Sequence, residues 1–528
     1  MSLSDSPGHA PAASDRSSGT GPDPLRWKAL IFIALAQLMV VLDATIVNIA
    51  LPSAQADLGI SDGNRQWVIT AYALAFGGLL LFGGRISDLW GRKRAFVVGL
   101  IGFAVASALG GAAANAGILL GARALQGAFG ALLAPAALSL LAVTFTESRE
   151  RAKAFGIFGA IAGGGGAIGL ILGGVLTEYL DWRWTFFVNI PFAIVAAAGA
   201  IAVIREPAGG RNPARLDVPG VVLATGGLVA LVYAFTRAES DGWGADTTVS
   251  LFVAAGVLLT AFVIVESRAR NPLLPLRVVL ERNRAGVYLS LGLAVIGMFG
   301  LFLFLTYYLQ IVKGYSPVVT GLAFLPMIAG MITGSTQIGA RLMTRVRPRL
   351  LMTPGFVVAS AGMLTLTQLE IGTSYTTVIL PGLLLMGLGM GTAFMPAMSL
   401  ATYQVRPQDS GVASAMINTS QQVGGAIGTA LLNTIAASTT TAYVASHAAG
   451  ARSVDALRLE ALVHGYTTAI WWALGILVLA AVIAYTFIDA GRQNGGTAVS
   501  VSGKDGEEGK GGGEHEGSDG TAVPILAH

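Results

Sequence analysis

Long apolar runs constrain this chain more than any other feature. A helix crosses the hydrocarbon core of a bilayer in about 20 predominantly apolar residues. Fourteen stretches of that order can be marked along the 528 residues: 29–52, 66–86, 95–114, 118–143, 154–177, 183–204, 217–237, 247–266, 285–311, 317–341, 350–370, 375–400, 411–436 and 466–488. A transmembrane β-barrel would instead show segments of roughly ten alternating residues, and that pattern is absent. Composition agrees: 54% of residues are hydrophobic and 12% charged, where a soluble domain carries about 25% charged residues. The expected fold is an all-α integral membrane protein with fourteen transmembrane helices.

The distribution of charge predicts sidedness. Of the 33 Lys and Arg, 26 fall at the ends and in alternate loops on one side, and 7 on the other. Basic loops stay cytoplasmic, so both termini are expected inside, in a multi-pass plasma (inner) membrane protein. The eight Trp lie near run ends, as an interfacial aromatic belt requires. No cleavable signal peptide is expected, because the first apolar run is too long for a signal h-region. Residues 1–28 and 489–528 read as disordered cytoplasmic tails, the latter rich in Gly with mixed charge. The loop 437–465 reads as the longest external segment, with SVDALRLEALVH as a short amphipathic surface helix.

Several chemistries are excluded. With no Cys there is no thiolate metal site, thiol catalysis or disulfide. None of the five His lies in an apolar run or in an HExxH pattern, which argues against a membrane metalloprotease. No GxxxxGK[ST] phosphate loop is present. A net charge of +4, scattered among loops, gives no nucleic-acid footprint. The chain therefore reads as neither an enzyme nor a cofactor binder, and transport would draw on an ion gradient.

Short patterns recur along the chain. Gly130-x4-Pro135-Ala136 in the fourth run returns as Gly391-x4-Pro396-Ala397 in the twelfth, and GGAIG at 165–169 in the fifth run returns at 424–428 in the thirteenth. Order and offset agree. The implied organisation is a six-helix half over 29–204, two inserted helices with loops over 205–284, and a second six-helix half over 285–488. Two such halves related by an axis along the membrane normal place a substrate site between them near the midplane.

Asp43 is the sharpest single residue. It stands alone among apolar residues in LMVVLDATIVNIALP, and a carboxylate there costs about 2.5–3.5 kcal/mol on insertion scales. It is either a group that binds and releases a proton or a structural acid hydrogen-bonded to Thr45 or Asn48. Arg123 opens the fourth run at comparable depth. It either bridges to Asp43 or snorkels to the interface. In GGRISDLWGRKRAF, Gly84 permits close helix approach and Gly91 a tight turn, while Asp88 can accept from backbone N–H groups or pair with Arg92. The glycines of run five suit close helix packing. Asn418, Gln421 and Gln422 can meet a substrate or glue helices, and Phe304, Tyr307 and Tyr308 can line a cavity or face lipid. Glu178, Asp181, Glu266 and Glu370 read mostly as interfacial.

Four of these segments together resemble the fourteen-helix, drug:proton antiporter branch of the major facilitator superfamily (EmrB/QacA-like). They are LDATIVNIALP, GGRISDLWGRKR, RALQGAFGALLAPA, and GGGGAIGLILGG followed by DWRWTFFVNIP. The resemblance covers about 29–488 and implies two six-helix halves plus two central helices. It implies that Asp43 couples transport to protons, with Arg123 taking part in proton transfer. It further implies that Gly84, Asp88, Gly91 and Arg92 act in conformational gating, and that Gly169, Gly173 and Gly174 give a close-packed, pliable helix. Leu170 departs from the Gly-Pro that the family often carries at 169–170. Asn48, Gln126, Tyr307, Asn418 and Gln421 are the expected substrate contacts. The implied function is proton-coupled export of small amphipathic organic molecules, drugs and antibiotics, by alternating access, with no cofactor beyond the proton gradient. The expected partners are a small-molecule substrate, protons and the bilayer, with no nucleic acid; the sequence does not set the oligomeric state. The Arg-rich composition and GGGGAIGL are similar to actinobacterial members, some of which export an antibiotic made by the same cell. The alternative readings are therefore a narrow-specificity exporter of a metabolite or a self-made antibiotic on the same scaffold, and a non-transporting membrane sensor.

Overall fold

A computed structural model describes residues 25–145, 147–204, 217–269, 272, 274–343, 345–402, 405, 410–448 and 453–489. Both tails expected to be disordered lie largely outside the described residues. Among the described residues the chain forms fourteen long helices and no strand. They are α1 (Arg26–Leu58), α2 (Trp67–Trp90), α3 (Arg92–Gly111), α4 (Ala116–Thr144), α5 (Ser148–Tyr179), α6 (Trp184–Val203), α7 (Val218–Ser240) and α8 (Asp246–Arg268). They continue as α9 (Arg282–Val312), α10 (Pro317–Leu342), α11 (Arg349–Leu366), α12 (Leu380–Thr402), α13 (Ser410–His447) and α14 (Val454–Phe487). Eleven of them are long and apolar enough to cross a membrane over their described residues, while α2 and α5 carry shorter apolar stretches and α13 is the most polar.

The local sequence explains where the helices deviate. Pro191 follows a break at Val188 that splits α6 into one turn, Trp184–Phe187, and a longer piece, Asn189–Val203. A similar break at Phe324 precedes Pro326 in α10. The helix-interior proline removes a donor and clashes with the preceding turn, so the chain re-starts around it. The expected long external loop is corrected: α13 runs on to His447 and α14 begins at Val454, so SVDALRLEALVH is the first part of a membrane helix. In the polar stretch ASTTTAY, Ser438, Thr440 and Thr441 each donate to the carbonyl one turn back, which satisfies their hydroxyls within the helix. Thr440 also donates to Ala461 O at 3.2 Å, which ties α13 to α14.

Packing repeats with a shift of eight helices. In the first set α2 and α3 pack on α4, α1 packs on α5, and both α1 and α3 pack on α6. In the second set α10 and α11 pack on α12, α9 packs on α13, and both α9 and α11 pack on α14. The recurring glycines occupy matching places. A Cβ on Gly169 would meet Thr45 and Leu42 of α1, and one on Gly428 would meet Ile296 of α9. The two sets touch along two seams, α2 against α13 and α5 against α10, with α1 also reaching α9 and α10. Helix α7 packs on α2, α8 and α13, so it covers the first seam, and α8 packs chiefly on α7. At the end bearing the α1–α2 loop, Gln310 Nε2 of α9 donates to Ile49 O of α1 at 3.0 Å. At the same end the Val318 N–H of α10 donates to Glu178 Oε2 of α5 at 3.0 Å.

Among the acids expected at interfaces, Glu178 is exposed while Glu266 is buried and accepts from the Leu274 N–H at 3.0 Å. Gly91 joins α2 to α3 at φ 100°, a conformation glycine adopts without steric cost, as the tight turn requires. The close approach expected at Gly84 falls instead on its neighbour. A Cβ on Gly83 would lie 2.1 Å from Ala131 O of α4, whereas one on Gly84 would meet only Pro135 Cβ at an ordinary 3.6 Å. One residue is about 100° of helix rotation, which turns Gly84 off the contact line. Gly83→Ala therefore forces α2 from α4 at an overpacking cost of about 1–3 kcal/mol, while Gly84→Ala is accommodated. Melting of the purified protein should fall by several degrees for the first and stay near wild type for the second.

Candidate functional site

Helix α1 carries Asp43 about 25 Å along its axis from Arg26, at ~1.5 Å per residue, and buries it completely. An isolated carboxylate cannot persist in such a place, so it must be paired and hydrogen-bonded. Arg123 of α4, 1% exposed, meets that need: its Nη1 donates to Asp43 Oδ2 at 2.7 Å. The bridging expectation for Arg123 is the one the structure shows, and snorkelling to the interface is not. Neither Thr45 nor Asn48 bonds Asp43. Thr45 donates to Val41 O and Leu42 O, and Asn48 donates to Ala44 O.

Neutral groups complete the cluster. Gln126, one turn beyond Arg123, accepts from Arg123 Nη1 at 2.9 Å and donates through Nε2 to Asp43 Oδ1 at 2.8 Å. Asn189 at the start of the longer piece of α6 donates to the same Oδ1 at 3.0 Å. Ser107 of α3 accepts from Gln126 Nε2 at 2.6 Å and from Asn189 Nδ2 at 3.2 Å. Arg123 Nε donates to Val68 O of α2 at 2.9 Å, and its guanidinium lies 4.4 Å from the ring centre of Tyr72. Five helices of the first set thus converge on one carboxylate. Asn189 Oδ1 and the Tyr72 hydroxyl are buried and make no hydrogen bond to the described residues.

Helix α5 presses on α1 beside this cluster. A Cβ on Gly173 would lie 3.0 Å from Ile46 Cα of α1, and one on Gly174 would lie 2.7 Å from Val318 Cα of α10. The glycines expected to give a close-packed helix therefore face both partners of α5. At Leu170, the departure from the Gly-Pro pattern, α5 is continuous, and the Leu170 carbonyl abuts Gly321 of α10.

The remaining expected residues are placed apart from Asp43. Asn48 is buried one turn beyond it, and its Oδ1 lacks a partner among the described residues. Tyr307 lies at the α1–α2 end, where its hydroxyl donates to Gln55 Oε1. Asn418 and Gln421 are half-buried on α13, outside the hydrogen bonds that surround Asp43. Arg92 opens α3, half-buried. The side chain of Asp88 lies outside the described residues, and with it the expected contact to Arg92. The sequence reading missed Tyr72, Ser107 and Asn189. Asn189 carried a usable signal, as a lone amide between WRWTFF and an apolar run, whereas Ser and Tyr are too common in membrane helices to stand out.

Removing one partner of a buried ion pair costs about 3–5 kcal/mol, because it strands the other charge. Asp43→Ala and Arg123→Ala should each lower thermal stability on that scale. The double variant should lose much less than their sum. Additive losses in a thermal-stability cycle would show that the two groups do not depend on each other.

Comparison with known proteins accords with this architecture. The family model for the Major Facilitator Superfamily matches residues 33–429. The chain is 55% identical over 472 residues to the puromycin resistance protein pur8 of Streptomyces alboniger, covering 89% of this chain and 93% of that one. It is 39% identical to the cephamycin export protein CmcT of Amycolatopsis lactamdurans, covering 79% and 87%. Among solved structures, the inward-facing, unoccupied form of a bacterial homologue of the human lysosomal transporter Spinster aligns with a TM-score of 0.64 at 16% identity. That alignment covers 88% of this chain and 97% of that one. The transporter PepTSo aligns with a TM-score of 0.64 at 15% identity, covering 89% and 98%.

Proposed function

The chain belongs to the Major Facilitator Superfamily, and from that premise we propose that it exports small amphipathic organic molecules, antibiotics among them, in exchange for protons. The observation that carries this reading is the fully buried Asp43 carboxylate, held by three side-chain donors from Arg123, Gln126 and Asn189. Protonation neutralises Asp43 and removes the charge that holds Arg123. The protonated acid needs an acceptor, and rotation of the Asn189 amide presents its unpartnered Oδ1. Helices α1 and α4 then lose their strongest mutual attraction. That change biases one arrangement of the two helix sets over the other, to the extent that the proton prefers one of them.

In this reading both termini and the basic loops face the cytoplasm, the α1–α2 end faces outward, and the protein resides in the plasma membrane. The helix sets α1–α6 and α9–α14 are the moving halves, with α7 and α8 inserted between them. The turn at Gly91, with Gly84, Asp88 and Arg92, and the α5 glycines Gly169, Gly173 and Gly174 accommodate the motion. The substrate passes between the halves, where Asn48, Asn418 and Gln421 offer polar atoms. The protein acts as a transporter and uses the proton gradient in place of a cofactor. A proton moving down 100 mV supplies about 2.3 kcal/mol, and one pH unit adds about 1.4 kcal/mol. Together these sustain a gradient of a neutral solute of roughly a few hundredfold.

A second reading, a narrow exporter of one antibiotic, is favoured by the 55% identity to a protein named for puromycin resistance. Puromycin is therefore the first compound to test. Expression in a pump-deficient bacterial host should raise resistance, and both Asp43→Asn at equal membrane abundance and a protonophore should abolish the gain. Protection against puromycin alone selects the narrow reading. Protection that survives Asp43→Asn refutes the coupling role, and no protection across puromycin and a broad drug panel refutes drug export.

A further inference from the structure

Arg65 is a second buried arginine, 3% exposed, and it lies in the loop between α1 and α2 rather than within a helix. Its guanidinium reaches into the other half of the molecule. Nε donates to Asn433 Oδ1 of α13 at 3.0 Å, and the planar head lies 4.0 Å from the ring centre of Tyr307 of α9 and 5.7 Å from that of Tyr466 of α14. Within its own loop it meets only the mostly exposed carboxylate of Asp62, at 3.4 Å. Asn433 is held in turn from the first half, since its Nδ2 donates to Asp62 O at 3.0 Å and to Gln66 Oε1 at 3.1 Å. Tyr307 is fixed by the hydrogen bond from its hydroxyl to Gln55 of α1.

These partners share one property. Asn433, Tyr307 and Tyr466 all belong to α9–α14, so any separation of the halves at this end removes them from Arg65 together. A desolvated guanidinium is stable only while its hydrogen-bond acceptor and aromatic faces surround it. Once exposed, it is solvated by water instead. The two arrangements are therefore distinct states, closed around the cation or open and hydrated. Gln310 to Ile49 and Val318 to Glu178 join the same end but involve backbone groups and no buried cation.

We propose that Arg65 is the latch of the outward end: its insertion between Tyr307, Tyr466 and Asn433 holds the halves together there, and its withdrawal accompanies release of substrate. The proposal rests on the transporter reading above, and Arg65 acts in it as a positioning residue that sets the balance of conformations.

The absence of native cysteine allows direct labelling. Ala114→Cys in the α3–α4 loop and Gly372→Cys in the α11–α12 loop place spin labels on exposed positions of the two halves at this end. Pulsed electron resonance distances are then compared in the full-length protein. Arg65→Ala should raise the ratio of long to short distances by roughly tenfold or more, given the lost cation–π and charge-assisted contacts. Arg65→Lys, which keeps the charge without the planar fork, should fall between. Tyr307→Leu and Asn433→Ala remove the receiving side and should shift the ratio in the same direction; they carry the test if Arg65→Ala does not accumulate. An unchanged distance distribution in these variants overturns the latch, whatever their efflux. Failure of the unaltered protein to export any drug overturns the transporter reading instead, because the distances require no substrate.

Discussion

A carboxylate buried in the middle of a membrane helix sets the terms for half of this molecule. Asp43 cannot stand unpaired there, so α4 must bring Arg123, and the remaining donors of the arginine must also find acceptors. Beside the Nη1 bond to Asp43, Nη1 also donates to Gln126 and Nε to Val68 O. Gln126 and Asn189 then need partners of their own, and Ser107 accepts from both. Satisfying one charge thus recruits α1, α2, α3, α4 and α6. A network of this kind is sensitive to the removal or neutralisation of any member, because low dielectric strengthens each bond and raises the cost of each orphan.

Helix α5 connects that cluster to the rest of the structure without contributing a polar group to it. Its glycines allow backbone contact with α1 on one side and with α10 on the other. The α1–α5 and α5–α10 contacts at Gly173 and Gly174 are thus made against backbone rather than flexible side chains. The other seam, α2 against α13, is hydrogen-bonded at Thr70 and Thr429, 2.6 Å apart, and is covered by α7. Arg65 sits beyond that seam, at the α1–α2 end. The two buried arginines thus differ in placement: Arg123 pairs with Asp43 within one half, and Arg65 reaches Asn433 and Tyr307 across the boundary between halves.

Much of this was legible in the sequence, for definite physical reasons. Apolar runs of membrane-spanning length have few alternatives, so the fourteen helices could be read directly. A lone acid in such a run is costly enough to stand out, which singled out Asp43, and matching depth suggested Arg123. The rest depended on rotation and packing, which spacing does not encode. Gly83 rather than Gly84 meets α4 because of one residue of helical phase. The contacts of Tyr307 with Gln55 and Arg65, across the two halves, had no signal in the sequence. Ser107 and Tyr72 gave no signal, since polar residues of that kind occur throughout membrane helices. The Ser/Thr-rich end of α13 read as a loop because its contact with α14 through Thr440, Ala461 and Gly465 is invisible in composition.

The central claim of the proposed function is that Asp43 carries the proton exchanged for substrate. The most direct measurement is the pH change on adding a transported drug to purified protein in weakly buffered detergent solution, over a range of starting pH. If Asp43 carries that proton, the unaltered protein gives a drug-dependent pH change at starting pH values where Asp43 is protonated, and Asp43→Asn gives none. Equal changes from both would contradict it.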